Sequence, residues 1–281
     1  MSIDQLITGL IYLVAIFALF GVGKIVYDLL HRSFVLRKEL FERDNVALAL
    51  VVVGYYFGLV LALGGVLMGP SAGWVEDLID IAIYGLMAIV LLNVSAWIND
   101  KVILSKFDNR KEIIDDRNAG TGAIEAGNHI ANGLIIAGAI SGEGGGVVTA
   151  LAFWALGQVV LIVAGLVYNL ITSFDLHAEV ERDNVAVGVA FTGALIAIGN
   201  VVRIGVGGDF LGWRENLTQF GFYVVAGLIL LPIIRWVADK LLVPGVKLND
   251  ELVAQKVPNV GAGAIEAFAY IAGSMLIGWT I

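Results

Sequence analysis

The sequence predicts an all-α, polytopic membrane protein with eight transmembrane helices arranged as four two-helix repeats. Three observations carry this. First, 59% of the residues are hydrophobic and only 15% are charged, whereas soluble domains are about half apolar and a quarter charged. Second, eight apolar runs occur, each near the roughly 20 residues needed to cross about 30 Å of hydrocarbon. Third, Glu42-Arg43-Asp44-Asn45-Val46-Ala47 returns letter for letter as Glu181-Arg182-Asp183-Asn184-Val185-Ala186. At the same offset of 139 residues, Gly73-Trp74 and Glu76 recur as Gly212-Trp213 and Glu215, Tyr84 as Tyr223, and Trp97 with Asp100-Lys101 as Trp236 with Asp239-Lys240. The chain is therefore a duplication, with halves expected at 1–144 and 145–281.

The eight runs lie at about 5–30, 45–69, 77–99, 118–140, 147–171, 184–206, 216–238 and 259–280, each long enough for one crossing. The N-terminus, Met1-Ser2-Ile3-Asp4, lacks the basic segment of a signal peptide, and the apolar run from Leu6 to Val26 is too long for one, so it is expected to stay as the first helix. Runs of this length exclude a barrel, whose strands are short and alternate. Trp74, Trp213, Tyr84 and Tyr223 read as interfacial anchors, and Pro232 as a kink in the seventh helix.

Of the 17 Lys and Arg, all but Arg203 and Arg214 fall on or near one side. The positive-inside rule places that side in the cytoplasm and both termini outside, in the inner membrane of a bacterium. The connections on the other side, Gly69-Pro70-Ser71-Ala72-Gly73 and Ser141-Gly142-Glu143-Gly144-Gly145-Gly146, are made of turn formers. The second lacks the strand and the Gly-Lys-Ser/Thr of a phosphate loop, so a plain turn is expected. The net charge of −8, with no basic patch, speaks against nucleic-acid binding. Cysteine is absent and the three His, His31, His129 and His177, are scattered. No metal, cofactor or enzyme constellation is expected.

A second repeat lies inside each half. Asn45, Asn118, Asn184 and Asn259 each open an even-numbered helix and are followed at +2 and +4 by Ala or Gly. Each is expected to cap its helix, and the small residues to permit close helix approach, as does Gly54-x-x-x-Gly58. The unit is then a hairpin of about 65–75 residues repeated in one orientation, a parallel rather than inverted repeat.

Two-helix units with Asn-x-Ala/Gly-x-Ala/Gly at the start of the second helix, ending here in Gly-Ala-Ile-Glu-Ala, resemble the bacterial inner-membrane family known as domain of unknown function 350, or the UPF0719 membrane proteins. The likeness spans the chain as two fused four-helix copies. It implies a polytopic inner-membrane protein without an assigned reaction, with envelope stress as a setting, and it assigns no catalytic residue.

Ionisable groups within the bilayer are costly, by roughly 2.5–3.5 kcal/mol on insertion scales, and are functional candidates for that reason. Glu125 and Glu266 each lie seven residues after their Asn, roughly 10 Å into the helix at about 1.5 Å per residue. The corresponding residues of the other two repeats are Val52 and Phe191. A pseudo-twofold axis would bring the two carboxylates toward one centre. In the fourth helix Asn118, Thr121, Glu125, Asn128, His129 and Asn132 form one polar stripe at helical spacing. A His one turn from a Glu suits a proton relay, while helix-to-helix hydrogen bonding is the structural reading of the same residues. Lys24 and Asp28, at i and i+4, are expected to pair with each other, with Glu125 as the other partner open to Lys24.

Two functions follow. The first is a channel or transporter for a cation or protons, lined by Glu125, Glu266, Asn128, His129 and Asn132. The second is a non-transporting scaffold that recruits a cytoplasmic protein through its inner loops, for which the stretches 102–107 and 240–243 are candidate docking segments. The bilayer is the one certain partner, and eight parallel-related helices are compatible with a homo-oligomer.

Overall fold

The computed structural model describes residues 3–104 and 108–281. Ser105, Lys106 and Phe107, the end of the candidate docking stretch 102–107, lie outside the described residues. Ten α-helices follow in order: α1 (Ile3–Leu30), α2 (Val46–Val66), α3 (Trp74–Ile98), α4 (Ala119–Ile140), α5 (Val147–Ile171), α6 (Leu176–Glu181), α7 (Val185–Val206), α8 (Trp213–Leu241), α9 (Leu248–Val253) and α10 (Val260–Thr280). No strand occurs among the described residues. Eight helices are long, and seven of them are long and apolar enough to cross a membrane. The eighth, α4, matches them at 22 residues but carries the polar stripe. It is sheltered between α2 and α7, so its polarity faces protein.

The even helices of the repeat, α2, α4, α7 and α10, stand side by side as an inner row. All four run in the same direction, as their contacts show. Counted from the Asn of each unit, the residue at +2 of one helix faces +4 of the next: Ala47 on Gly122, Gly120 on Gly188, Ala186 on Gly263. Further along, +9 faces +8: Gly54 on Ala126, Gly127 on Thr192, Gly193 on Ala267. A methyl group added at any of these glycines except Gly120, where the fit is merely tight, would overlap the neighbouring helix, in most cases its backbone. Lipid offers no hydrophobic drive to associate, so dispersion contact at this short spacing is what holds the row. The odd helices form a second layer, with α3 against α2 and α4, α5 against α4 and α7, and α8 against α7 and α10. Pro232 lies inside α8, which is continuous through it.

Each inner helix starts in the same way. A short helix precedes it: a π-helical turn at Lys38–Glu42 and at Lys111–Asp115, then α6, then α9. In the first three units a residue with positive φ follows, Asp44 (52°), Arg117 (56°) and Asp183 (60°), a conformation that Asp tolerates better than most residues. The fourth unit has Pro258 there, whose ring holds φ negative. The Asn then caps the helix: Oδ1 of Asn45, Asn118, Asn184 and Asn259 accepts from the backbone N–H of Leu48, Thr121, Val187 and Ala262 at 3.0, 3.0, 3.1 and 3.2 Å. The capping role expected of all four is present.

The same side chain has a second task. Nδ2 of Asn45 donates to the Ile113 carbonyl at 2.9 Å, that of Asn118 to Val180 at 2.6 Å and that of Asn184 to Leu252 at 2.9 Å. Each acceptor belongs to the short helix of the following unit. The residue just before each acceptor is a glutamate, Glu112, Glu179 or Glu251, which in turn binds its own unit's Asn through side chain and backbone. The units are thus linked head to tail by one asparagine each.

Glycine spacing makes a direct prediction. Gly54→Leu cannot be relieved by a rotamer change because its obstacle is the Ala126 backbone, so it should cost about 3 kcal/mol or more. Gly9 has no atom within 4 Å of an added Cβ, and Gly9→Ala should stabilise by up to about 1 kcal/mol through helix propensity. Thermal unfolding of both variants in mild detergent checks the pair, and equal melting points would refute the close-packing account.

Candidate functional site

Glu125 is 4% exposed and sits about two turns into α4 beyond the cap, beneath the segment that joins α3 to α4. Its Oε1 accepts from Asn99 Nδ2 at 2.9 Å and from Asn109 Nδ2 at 3.0 Å. Asn109 Nδ2 also reaches Asp100 Oδ1 at 2.7 Å, so one amide bridges two carboxyl groups, and Asp100 itself lies within hydrogen-bonding reach of Glu125. The Oδ1 atoms of Asn99 and Asn109 are buried without a partner, as is the Thr121 hydroxyl on the preceding turn. The set is rich in oxygen acceptors and has no cation among the described residues: Lys24, the other partner considered for Glu125, pairs with Asp28 instead.

The rest of the stripe continues along α4. Asn132 Nδ2 donates to Asn128 Oδ1 at 3.0 Å and to the Asn128 carbonyl at 2.9 Å, and Gln158 of α5 donates to Asn132 Oδ1 at 2.7 Å. Asn128 Nδ2 is left unpartnered. His129 stands edge-on to Tyr55, with centroids 5.4 Å apart, and its Nδ1 has no partner. It thus joins an aromatic cluster with Tyr27, while Glu125 and Asn132 bond toward α3 and α5. Past Asn132 the helix is apolar: Ile135 and Ile136 are fully buried. Beyond them, at the end bearing the glycine-rich turn, lies a cavity of about 790 Å³ lined in part by Ala139, Tyr12, Asp80, Tyr84 and Glu143.

Glu266 has a different environment. It is 0% exposed, and Arg235 of α8 donates from Nε to its Oε1 at 2.8 Å, with the Tyr168 hydroxyl at 3.2 Å. The guanidinium also reaches Asn249. Oε2 of Glu266 and the Tyr270 hydroxyl are unpartnered. The expected convergence of the two glutamates does not occur, because α7 stands between α4 and α10 in the row. Parallel repeats translated along a row keep corresponding side chains one unit apart.

Several residues of these sites escape a sequence reading. Arg235 counts there only as one of the positive charges on or near one side, and Asn99, Asn109 and Gln158 carry no motif. The usable signal is a comparison of halves: Trp97 aligns with Trp236, which puts Ala96 where Arg235 stands. The cation of one half is therefore a methyl group in the other. No group of three or more His, Asp or Glu suited to a metal occurs among the described residues.

Comparison with known proteins gives a consistent result. The family described as Domain of Unknown Function (DUF350) matches twice, over residues 1–140 and 144–281. A protein named UPF0719 transmembrane protein, from Aquifex aeolicus (strain VF5), is 25% identical over 266 residues, covering 92% of this chain and 96% of its own. No solved structure matches the chain.

The ion pair is open to a stability test. Arg235→Met strands the buried Glu266 carboxylate and should cost about 3–5 kcal/mol, whereas Arg235→Met with Glu266→Met removes both charges and should recover most of that loss. Thermal melts in detergent read both. A double variant no more stable than the single one would show that the pair does not act as a unit.

Proposed function

The chain belongs to the DUF350 family and is a transmembrane protein, and from that premise we propose that it conducts protons or a small cation through the interface of α3, α4 and α5. The observation that carries the reading is Glu125: a carboxyl group buried in a membrane-spanning helix with amides and a second carboxyl around it and, among the described residues, no cationic partner. A purely structural carboxylate in lipid is expected to be neutralised by a cation, as Glu266 is by Arg235. The unpartnered oxygens of Asn99, Asn109 and Thr121 add acceptors of the type that hard cations and hydronium take.

In this reading the path begins in the 790 Å³ cavity, crosses the apolar stretch at Ile135 and Ile136, and continues by Gln158, Asn132 and Asn128 to Glu125 and Asp100. Ala139 of the cavity wall and Asn132 are seven residues apart, about 10 Å along the helix. A constriction of that length gates by dewetting. His129 points away from this line and serves the aromatic packing. Apart from Gln158 of α5, the side chains that line the path belong to the first half, and it ends among the basic loops, which the charge bias puts in the cytoplasm of a bacterial cell, with both termini outside. The second half then serves as the fixed wall, Glu266 being held by its salt bridge.

A membrane-impermeant maleimide checks the orientation on single cysteines placed in a chain that has none. Ser71→Cys should label in intact cells and Asp183→Cys only after permeabilisation, and the reverse pattern inverts the assignment. Flux into proteoliposomes tests conduction. Glu125→Gln should lower it roughly a hundredfold, the scale at which a positioned proton-transfer group contributes, while the Arg235→Met, Glu266→Met variant should conduct like the native protein. Native protein with no flux above empty liposomes under any gradient would overturn the proposal and turn attention to partners of the basic loops.

A further inference from the structure

The inner row is a series in which each unit is built to receive the one before it, and among the described residues the first and last units have one such neighbour each. We propose that a second copy of this chain supplies it: α10 of one copy packs on α2 and α1 of the next, head to tail, as α2 packs on α4 within the chain.

Three observations at the two ends carry this. The first concerns the short helices. In units two to four the residue after the glutamate, Ile113, Val180 or Leu252, accepts the preceding unit's asparagine and is 8%, 0% and 0% exposed. Leu40 holds that position in the first unit, after Glu39, and no Asn side chain of the described residues donates to it. It is partly exposed, and the neighbouring Phe41 is 82% exposed where Ile114 in the second unit is 8%. Glu39 itself is buried with Oε2 unpartnered.

The second concerns the outer layer. α3, α5 and α8 each bridge their own inner helix and the preceding one, but α1 has only α2 of the inner row. Tyr27 of α1 and Tyr168 of α5 are both buried against an aromatic ring of their own inner helix; aligning them, 141 residues apart and so shifted by two from the offset of the rest of the chain, sets Phe17 against Gln158. Gln158 is buried against α4, and Phe17 is 66% exposed where such a helix is missing. The third is the other end of the row. Asn259 and Gly261 are exposed, although Asn45, Asn118 and Asn184 are buried in their interfaces.

The registers match across copies. At +2 and +4 the pair is Gly261 with Ala49, both small as inside the chain. At +20 and +19 it is Trp279 with Gly64, which has no atom within 4 Å of an added Cβ. Ile204 over Gly278 is the same large-on-small pairing inside the chain. At +9 and +8, Phe268 meets Val53 in place of the internal glycine, so the helices stand farther apart and the contact between copies is looser than those within one. Such a contact is heterologous. It closes a ring if the rotation per unit allows and otherwise forms an open row.

Disulfide trapping in native membranes tests this against a background free of cysteine. The Ala49→Cys, Gly261→Cys double variant should form covalent multimers on mild oxidation, whereas a mixture of the two single variants should stop at a dimer. A control pair on the lipid-facing sides of α1 and α8, Val14→Cys with Val225→Cys, should stay monomeric. Double-variant protein that remains monomeric while eluting as the native protein does would mean that lipid covers both ends, and would overturn the proposal. Equal trapping of the control pair would overturn it too, as random collision. Native mass spectrometry of the unmodified protein from lipid vesicles should find multiples of the chain mass, reduced by Phe268→Ala with Trp279→Ala. A strictly single-chain mass sinks the proposal without reliance on any cysteine.

Discussion

Backbone contact between parallel helices is the constraint on which everything else in this protein rests. In hydrocarbon an isoleucine gains nothing by leaving lipid for another isoleucine, so a row of four helices needs a different source of cohesion. Glycine and alanine at these contacts, with Thr192 at one of them, provide it by letting peptide planes approach closely. Approach alone leaves the helices free to slide. The asparagine at each helix start removes that freedom, because its Oδ1 is committed to its own helix and its Nδ2 to one carbonyl of the next unit. Register is set at one end by hydrogen bonds and carried along the row by small residues.

A scaffold held in this way tolerates divergence elsewhere, and the two glutamates show how far it has gone. Both sit on the same turn of an inner helix at the same depth. One faces Arg235, a salt bridge that satisfies the charge within the protein. The other faces Asn99, Asn109 and Asp100, which solvate it without cancelling it. A single outer-helix position, Ala96 in one half and Arg235 in the other, separates a carboxylate paired with a guanidinium from one held, among the described residues, by amides and a second carboxyl group. Duplication supplies this freedom, since one copy can hold the fold while the other keeps its polarity.

Much of the architecture was legible in the chain itself. The repeated Glu-Arg-Asp-Asn-Val-Ala announced the duplication, the apolar runs the crossings, and the four asparagines the helix starts, because each rests on local chemistry that repeats. The candidate site was only half legible. Glu125 stood out because a carboxylate in an apolar run is conspicuous on any reading. Asn99 and Asn109 did not, because their importance lies in a contact made across a loop, and an asparagine near a helix end usually signals a turn.

The sequence by itself determined the class, the repeat, the parallel sense of the units and the depth of the charged groups, since these follow from composition, period and rise per residue. Only the tertiary structure decided which neighbours those groups have. That the inner helices form a row, and that α7 keeps Glu125 and Glu266 apart, depends on which small-residue faces meet. All four inner helices share nearly the same face. A pattern common to every unit fixes how neighbours pack but cannot say whether the series curves back on itself or runs on, and that choice is made by the summed geometry of all the contacts together.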